Sequence, residues 1–206
     1  MTLDRTSRLK HFFEFSGVEY SESEEVRHTH ARDSSVFSIE PSYVVYPKNA
    51  EEIGALILGA QNHGYTVAVR AGGTCMSGGS LTDSVSIDLK KYMSEITYDA
   101  SAHIVTAQMG AYFRDIEALI KPHGRMFAAY PSSKDICGIG GIIGNNASGE
   151  KSMRHGATID NIERLWVVLH DGNEYEFGPV SHESWLQLQA EPSPRGDLAR
   201  TVAKLL

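Results

Sequence analysis

Two stretches of this chain carry almost no side chains. Residues 70–80 read RAGGTCMSGGS, with four glycines in eleven positions, and residues 138–149 read GIGGIIGNNASG, with five in twelve. The first cannot build an apolar core, so it must be explained by what its main chain does, and the second has the same lack of bulk and supply of donors. Small residues let a ligand approach the backbone closely, and successive N–H groups in tight turns form a concavity that attracts anionic oxygens. A plain turn joining two strands explains one or two glycines. Four of them, with Thr74, Ser77 and Ser80 alongside, exceed what a turn needs. Two such nests suit two phosphates or one pyrophosphate.

Around these stretches, strands and helices take turns, which implies an α/β or α+β class. Residues 5–15 form a helix pattern with Leu9, Phe12 and Phe13 on one face, and Ser21 to Asp33 is polar and aperiodic, as in a surface segment. Tyr43 to Pro47 reads as a strand. A helix follows, with Asn49 as its cap, Glu52 completing a capping box, Ile53, Leu56, Ile57 and Ala60 as its stripe, and Gly64 as its stop. Thr66 to Arg70 and Ser84 to Leu89 are two further strands, making a β-α-β-loop-β lobe. His103 to Gly110 alternates like a strand, and Phe113, Ile116, Leu119 and Ile120 have helical spacing. Residues 131–161 have no clean period, and a loop of that length in a compact domain usually has a job. Leu165 to Phe177 reads as a hairpin around a two-residue Asp171-Gly172 turn. The tail starts a helix at Asp197 with Leu198, Val202 and Leu205 on one face.

Composition narrows the classes. A chain of 206 residues, 41% hydrophobic and 22% charged, buries a core without staples, and two cysteines give no disulfide framework. The formal net charge of −7, with no long basic run, leaves nucleic-acid binding without support. No run approaches the roughly 18 to 20 apolar residues of a membrane span, and the N-terminus has no signal-peptide core. A cytoplasmic protein is expected, or one peripheral to a membrane.

Familiar phosphate and metal motifs do not fit. Gly144 and Gly149 have P-loop spacing, but Glu150 stands where its lysine belongs and Lys151 is displaced by one. Gly138 and Gly140 open a Rossmann fingerprint, but Ile143 occupies the third glycine site. His28 and His30 lack a third metal ligand at familiar spacing and read as surface histidines. Cys137 has no evident base beside it and reads as a small buried thiol. Arg70, at the mouth of the first nest, is open to two readings: a charge that aids phosphate binding, or an exposed strand-end arginine.

The order of these features is identified as similar to a known family. PSYVVYPKNAEEI, TVAVRAGGTCMSGGSL, YPSSKDICGIGGIIGNNASGEKSMRHGATIDNI and LHDG resemble the FAD-binding domain of the vanillyl-alcohol oxidase and p-cresol methylhydroxylase superfamily. Within it the resemblance is best to the glycolate oxidase and D-lactate dehydrogenase type, the FAD-linked D-2-hydroxy-acid dehydrogenases, across about residues 30–206. The resemblance implies an α+β fold of two lobes, a small parallel β-α-β lobe and a larger lobe with an antiparallel sheet, with FAD stretched between them. The divisions expected are 1–40 for an N-terminal helix and extended segment, 41–90 for the first lobe and 91–206 for the second.

Carried over by motif, Ala71, Gly72, Gly73, Thr74, Cys75, Met76 and Ser77 would cradle the pyrophosphate. Pro131, Ser132, Cys137, Gly138 and Gly141 would line the flavin and ribityl chain, and Asn146, Ala147, Ser148, Gly149 and Gly156 would complete the site. Covalently flavinylated members often carry a histidine where this chain has Thr74, so noncovalent FAD is expected. The implied reaction is oxidation of a small-molecule D-2-hydroxy acid, with hydride passing to flavin N5 and the electron acceptor left open. Family members continue into a substrate or cap domain, so an N-terminal fragment is expected, and no catalytic base is assigned. Two rivals are a non-redox module for a phosphorylated ligand and an FAD oxidase of another alcohol.

Overall fold

Phe13 is the hub of the first lobe. It sits on α1 (Arg5–Ser16), and its ring lies 5.3 Å from both Tyr20 and Tyr43, centroid to centroid. The structure, a computed structural model, describes residues 5–205. Next along the chain come β1 (Glu19–Ser21), α2 (Glu24–His30), β2 (Tyr43–Tyr46), α3 (Ala50–His63), β3 (Val67–Arg70) and β4 (Val85–Asp88). The four strands form one sheet in the order β1-β2-β4-β3. β4 runs parallel to both neighbours, and β1 is antiparallel to β2. All four residues of β4 are buried, as expected of a central parallel strand covered on both faces. Leu9, Phe13, Tyr43, Val45, Leu56, Tyr65, Val85, Ile87 and Leu89 make the core between sheet and helices.

The crossovers explain where the first glycine loop lies. Parallel neighbours need a connection of about a dozen residues or more, usually a helix. α3 supplies it between β2 and β3, whereas residues 71–84 join β3 to β4 with no helix. The bare loop is therefore the crossover, leaving the carboxyl end of β3 after Arg70 and returning to the amino end of β4 at Val85, in strands that pair from Val67↔Val85 to Arg70↔Asp88.

The remaining chain holds the hairpin β5 (Ile96–Asp99) with β6 (Ile104–Ala107), then α4 (Phe113–Ile120), α5 (Ile139–Gly144) and α6 (Ser152–His155). The hairpin β7 (Leu165–Val168) with β8 (Glu174–Phe177) follows, and then α7 (His182–Ala190) and α8 (Pro194–Ala203). Ala111, Phe113, Ile116, Ile120, Tyr130, Cys137, Ile139 and Ile142 form a second core, and Met109 packs against both cores. A parallel sheet, antiparallel hairpins and mixed helices make the fold α+β.

Several sequence expectations are corrected. Ser21 to Asp33 is not a wandering surface segment: it contains α2, which packs against β2 and buries His30. The region 131–161 is not structureless, since α5, α6 and a 3-10 turn at Thr158–Asn161 break it up. The Asp171-Gly172 hairpin has a three-residue loop. Leu169 donates to the Asn173 carbonyl at 3.0 Å to close it, and Gly172 donates to the Leu169 carbonyl with φ +77, the bulged geometry of that loop length. Asp197 does not cap the last helix. Ser193 does, its hydroxyl accepting from the Gly196 N–H, with Pro194 in the first turn. Leu198 and Leu205 on that helix side are 43% and 81% exposed, and Leu206 lies outside the described residues. β5 and α7 have no counterpart in the sequence reading.

Candidate functional site

The two bare stretches meet. A Cβ on Gly72 would lie 2.5 Å from the Ile136 carbonyl oxygen and 2.8 Å from the Cys137 Cα, and one on Gly138 would lie 2.8 Å from the Ala71 Cβ. No side chain fits at either position without parting the segments. β3 delivers Ala71 and Gly72 to this seam. Cys137 and Gly138 are held from the other side, where Phe113 donates to the Cys137 carbonyl at 3.1 Å and Ile139 to the Ala111 carbonyl at 2.8 Å.

Main-chain donors collect on the first loop. Among the described residues, no protein acceptor meets the N–H groups of Gly72, Gly73, Thr74, Cys75 or Met76, whereas that of Ser77 turns to the Cys75 sulfur. Met76 and Ser77 are exposed and Thr74 is half-buried. The Cys75 Sγ lies 3.3 Å from the Ser77 hydroxyl and accepts from the Gly79 N–H, contacts that draw its thiol below the ordinary range. Burial pushes the Cys137 thiol up instead.

Against the loop lies a buried charged group. Arg70 is only 9% exposed, which rules out the exposed strand-end reading, and its guanidinium rests on Gly73, where a Cβ would come within 2.4 Å of Nη2. Gly73 has φ +67, so its left-handed turn and its lack of a side chain are both required. Burial lowers the Arg70 pKa against the raising influence of Asp88 and Asp33. Asp88 accepts from His30 Nε2 at 2.9 Å and from the Lys90 N–H at 2.8 Å; these partners outweigh the burial that pushes its carboxyl up and hold it low. His30, 8% exposed, also donates from Nδ1 to the Val26 carbonyl, so it is not the surface histidine expected from sequence.

The second stretch borders a cleft of about 440 Å³ lined by Tyr130, Pro131, Ser132, Lys134, Ser148, Gly149 and Glu150. Tyr130 donates to Glu150 Oε1 at 3.0 Å, and the Lys134 and Lys151 ammonium groups stand 4.9 and 5.5 Å from its ring centroid. A Cβ on Gly149 would lie 2.0 Å from the Tyr130 carbonyl oxygen. Other predicted residues shape the loop and do not line the cleft. Asn146, in the left-handed region at φ 43, accepts the Ile159 N–H. Ala147 accepts from Thr158, and Gly156 abuts the Asp160 carboxylate. Gly141 is exposed and would have room for a Cβ. Sequence reasoning misses Tyr130, Lys134 and the His30–Asp88 pair. Glu150 reads in the sequence only as a misplaced P-loop residue, and its place in the cleft has no signal there beyond proximity to Gly149.

Two lobes meeting through bare main chain, with free amides on one side and a polar cleft on the other, define a scaffold for an anionic, extended cofactor. Open N–H groups, a buried unpaired guanidinium and seams that a single methyl would fill all suit a dinucleotide's charged middle. The chain belongs to the FAD-binding-domain family, whose model, described as FAD binding domain, matches residues 41–178, and FAD is the cofactor that goes with this membership.

Among curated relatives, the D-2-hydroxyglutarate dehydrogenase of Pseudomonas putida is 30% identical over 179 residues, covering 85% of this chain and 18% of that protein. The glycolate oxidase subunit GlcD of Escherichia coli is 28% identical over 186 residues, covering 88% and 37%. The chain thus spans well under half of either relative. The solved xylooligosaccharide oxidase from Myceliophthora thermophila superposes with a TM-score of 0.75 at 23% identity, covering 86% of this chain and 38% of that one, a likeness of fold. Among the described residues, no helix is long and apolar enough to cross a membrane.

Proposed function

We propose that this chain is the FAD-holding part of a flavin-dependent D-2-hydroxy-acid dehydrogenase, with the cofactor bound noncovalently. The reading rests above all on one observation, that Gly72 packs on Cys137 and Gly138 and so brings the two bare stretches into contact. In the proposed site, the amides of Ala71 to Ser77 hold the pyrophosphate, the segment from Pro131 to Gly141 borders the flavin and ribityl chain, and Asn146 to Gly149 with Gly156 set the far wall. When bound, FAD supplies the two-electron acceptor that turns a 2-hydroxy acid into a 2-oxo acid. The protein's share is to bind and orient.

Thr74 lacks the nucleophilic ring nitrogen that a histidyl link requires, and Cys137 is buried in the second core with its thiol pushed toward the protonated form. Both features favour noncovalent attachment. The hydroxy-acid substrate class follows the names of the two curated relatives, which act on 2-hydroxyglutarate and glycolate.

Titration with FAD and with FMN, followed by flavin fluorescence, tests the cradle. FMN lacks the pyrophosphate bridge and adenylate, so FAD should bind about 100-fold more tightly, given the strength of charge-assisted hydrogen bonds. Equal affinities would count against the cradle, and flavin that survives denaturation and gel filtration would count against noncovalent attachment.

A further inference from the structure

Arg70 is the anomaly of the first lobe. Among the described residues its guanidinium makes no hydrogen bond and no ion pair within 4.0 Å, although it is 9% exposed and Nη1 is sealed from solvent. Five N–H donors are thus left without protein partners, and burying a charged group in that state is costly. The nearest carboxylates, Asp88 and Asp33, ease it only through space and accept none of its hydrogen bonds. Asp88 is committed to His30 and the Lys90 N–H, and Asp33 to the Ser35 N–H at 2.9 Å and the Ser80 hydroxyl at 3.2 Å. The guanidinium instead lies against Gly73, where a Cβ would come within 2.4 Å of Nη2 and 2.7 Å of Cζ, in the run of unpaired amides from Gly72 to Met76. A largely buried positive charge held against Gly73 raises the affinity of the neighbouring unpaired N–H groups for an anion.

We infer that Arg70 is a positioning residue that makes the first glycine loop an anion site, supporting the left-handed turn at Gly73 and adding charge beside the amides that grip a diphosphate. The inference rests on the flavin reading for the identity of that diphosphate, but not for the charge itself. Arg70→Met removes the charge and keeps apolar bulk, and Arg70→Lys keeps the charge without the planar fork.

Wild type and both variants would be titrated with FAD, and separately with inorganic pyrophosphate, at low and high salt, following flavin fluorescence and thermal midpoint. R70M should weaken both ligands about 10- to 100-fold, the range for hydrogen bonds to charged groups, and flatten the salt dependence. R70K should recover most of the loss and restore the salt dependence, which a purely structural role would not do. If R70M does not fold, R70K against wild type still decides, because retained salt dependence supports the charge role and its loss overturns it. Ligand binding indifferent to R70M, or R70K as impaired as R70M with unchanged salt dependence, overturns the inference. Pyrophosphate binding that needs Arg70, with no FAD binding by the wild type, overturns the flavin reading alone. Failure of the wild type to bind either ligand overturns both.

Discussion

At the scale of single residues, the site depends on what is missing at Gly72. Its φ is not in the left-handed region, so a side chain is forbidden by the neighbouring strand of chain and not by its own backbone. Gly72→Ala should therefore cost about 1 to 3 kcal/mol of stability through overpacking, while separating the two stretches that border the site. Flavin bound per folded protein should fall by at least about tenfold, a loss of roughly 1.4 kcal/mol in binding. Urea unfolding together with flavin absorbance checks both halves, and an alanine variant with wild-type flavin content would refute the seam's role. Gly72 was legible in the sequence as part of a bare loop. Its partner across the seam was not, because nothing in either segment records which backbone it will touch.

At the scale of elements, α3 shows a local signal and its limit. Asn49 caps the helix as its sequence predicts, accepting the Glu52 N–H at 2.9 Å. The capping box closes one residue early, however, with Glu52 Oε2 accepting from the Lys48 N–H because Asn49 enters the helix fully extended at φ −157. Asn49→Ala should cost about 1 kcal/mol and lower the thermal midpoint by about 3 °C, measured by circular dichroism. α5 is the opposite case. Its sequence, IGGIIG, has poor helix propensity, and three glycines among six residues hide the element from any local reading. It forms because Ile139 and Ile142 are buried in the second core and the Gly140 N–H finds the Met109 carbonyl at 3.0 Å.

At the scale of the whole molecule, the His30–Asp88 contact ties an early helix to the central strand beside the first glycine loop, 58 residues away in sequence. The Asp88 carboxyl is held below its ordinary value in the fold. Its contribution is therefore fully present above the unfolded value of about 3.9 and is lost as pH falls through the lower folded value. Asp88→Asn should cost about 3 kcal/mol at neutral pH by removing the buried carboxylate that accepts from His30 Nε2 and the Lys90 N–H. The gap from wild type should close as pH drops from about 5 to about 2, where the wild-type carboxyl is also neutral. Denaturant unfolding at several pH values measures this, and a gap that stays constant across that range would refute the stabilising role of the ionised Asp88 carboxylate.

The chain's own order of residues specified the β-α-β lobe and both bare stretches, because hydrophobic periodicity and glycine content are local properties that survive without a partner. It could not reveal that Arg70 and His30 would be buried, that a glycine-rich run would coil under Phe113, or that Tyr130 and Glu150 would face one cleft. Those outcomes depend on contacts between segments far apart along the chain, where packing overrides local preference and one burial settles the surroundings of the next.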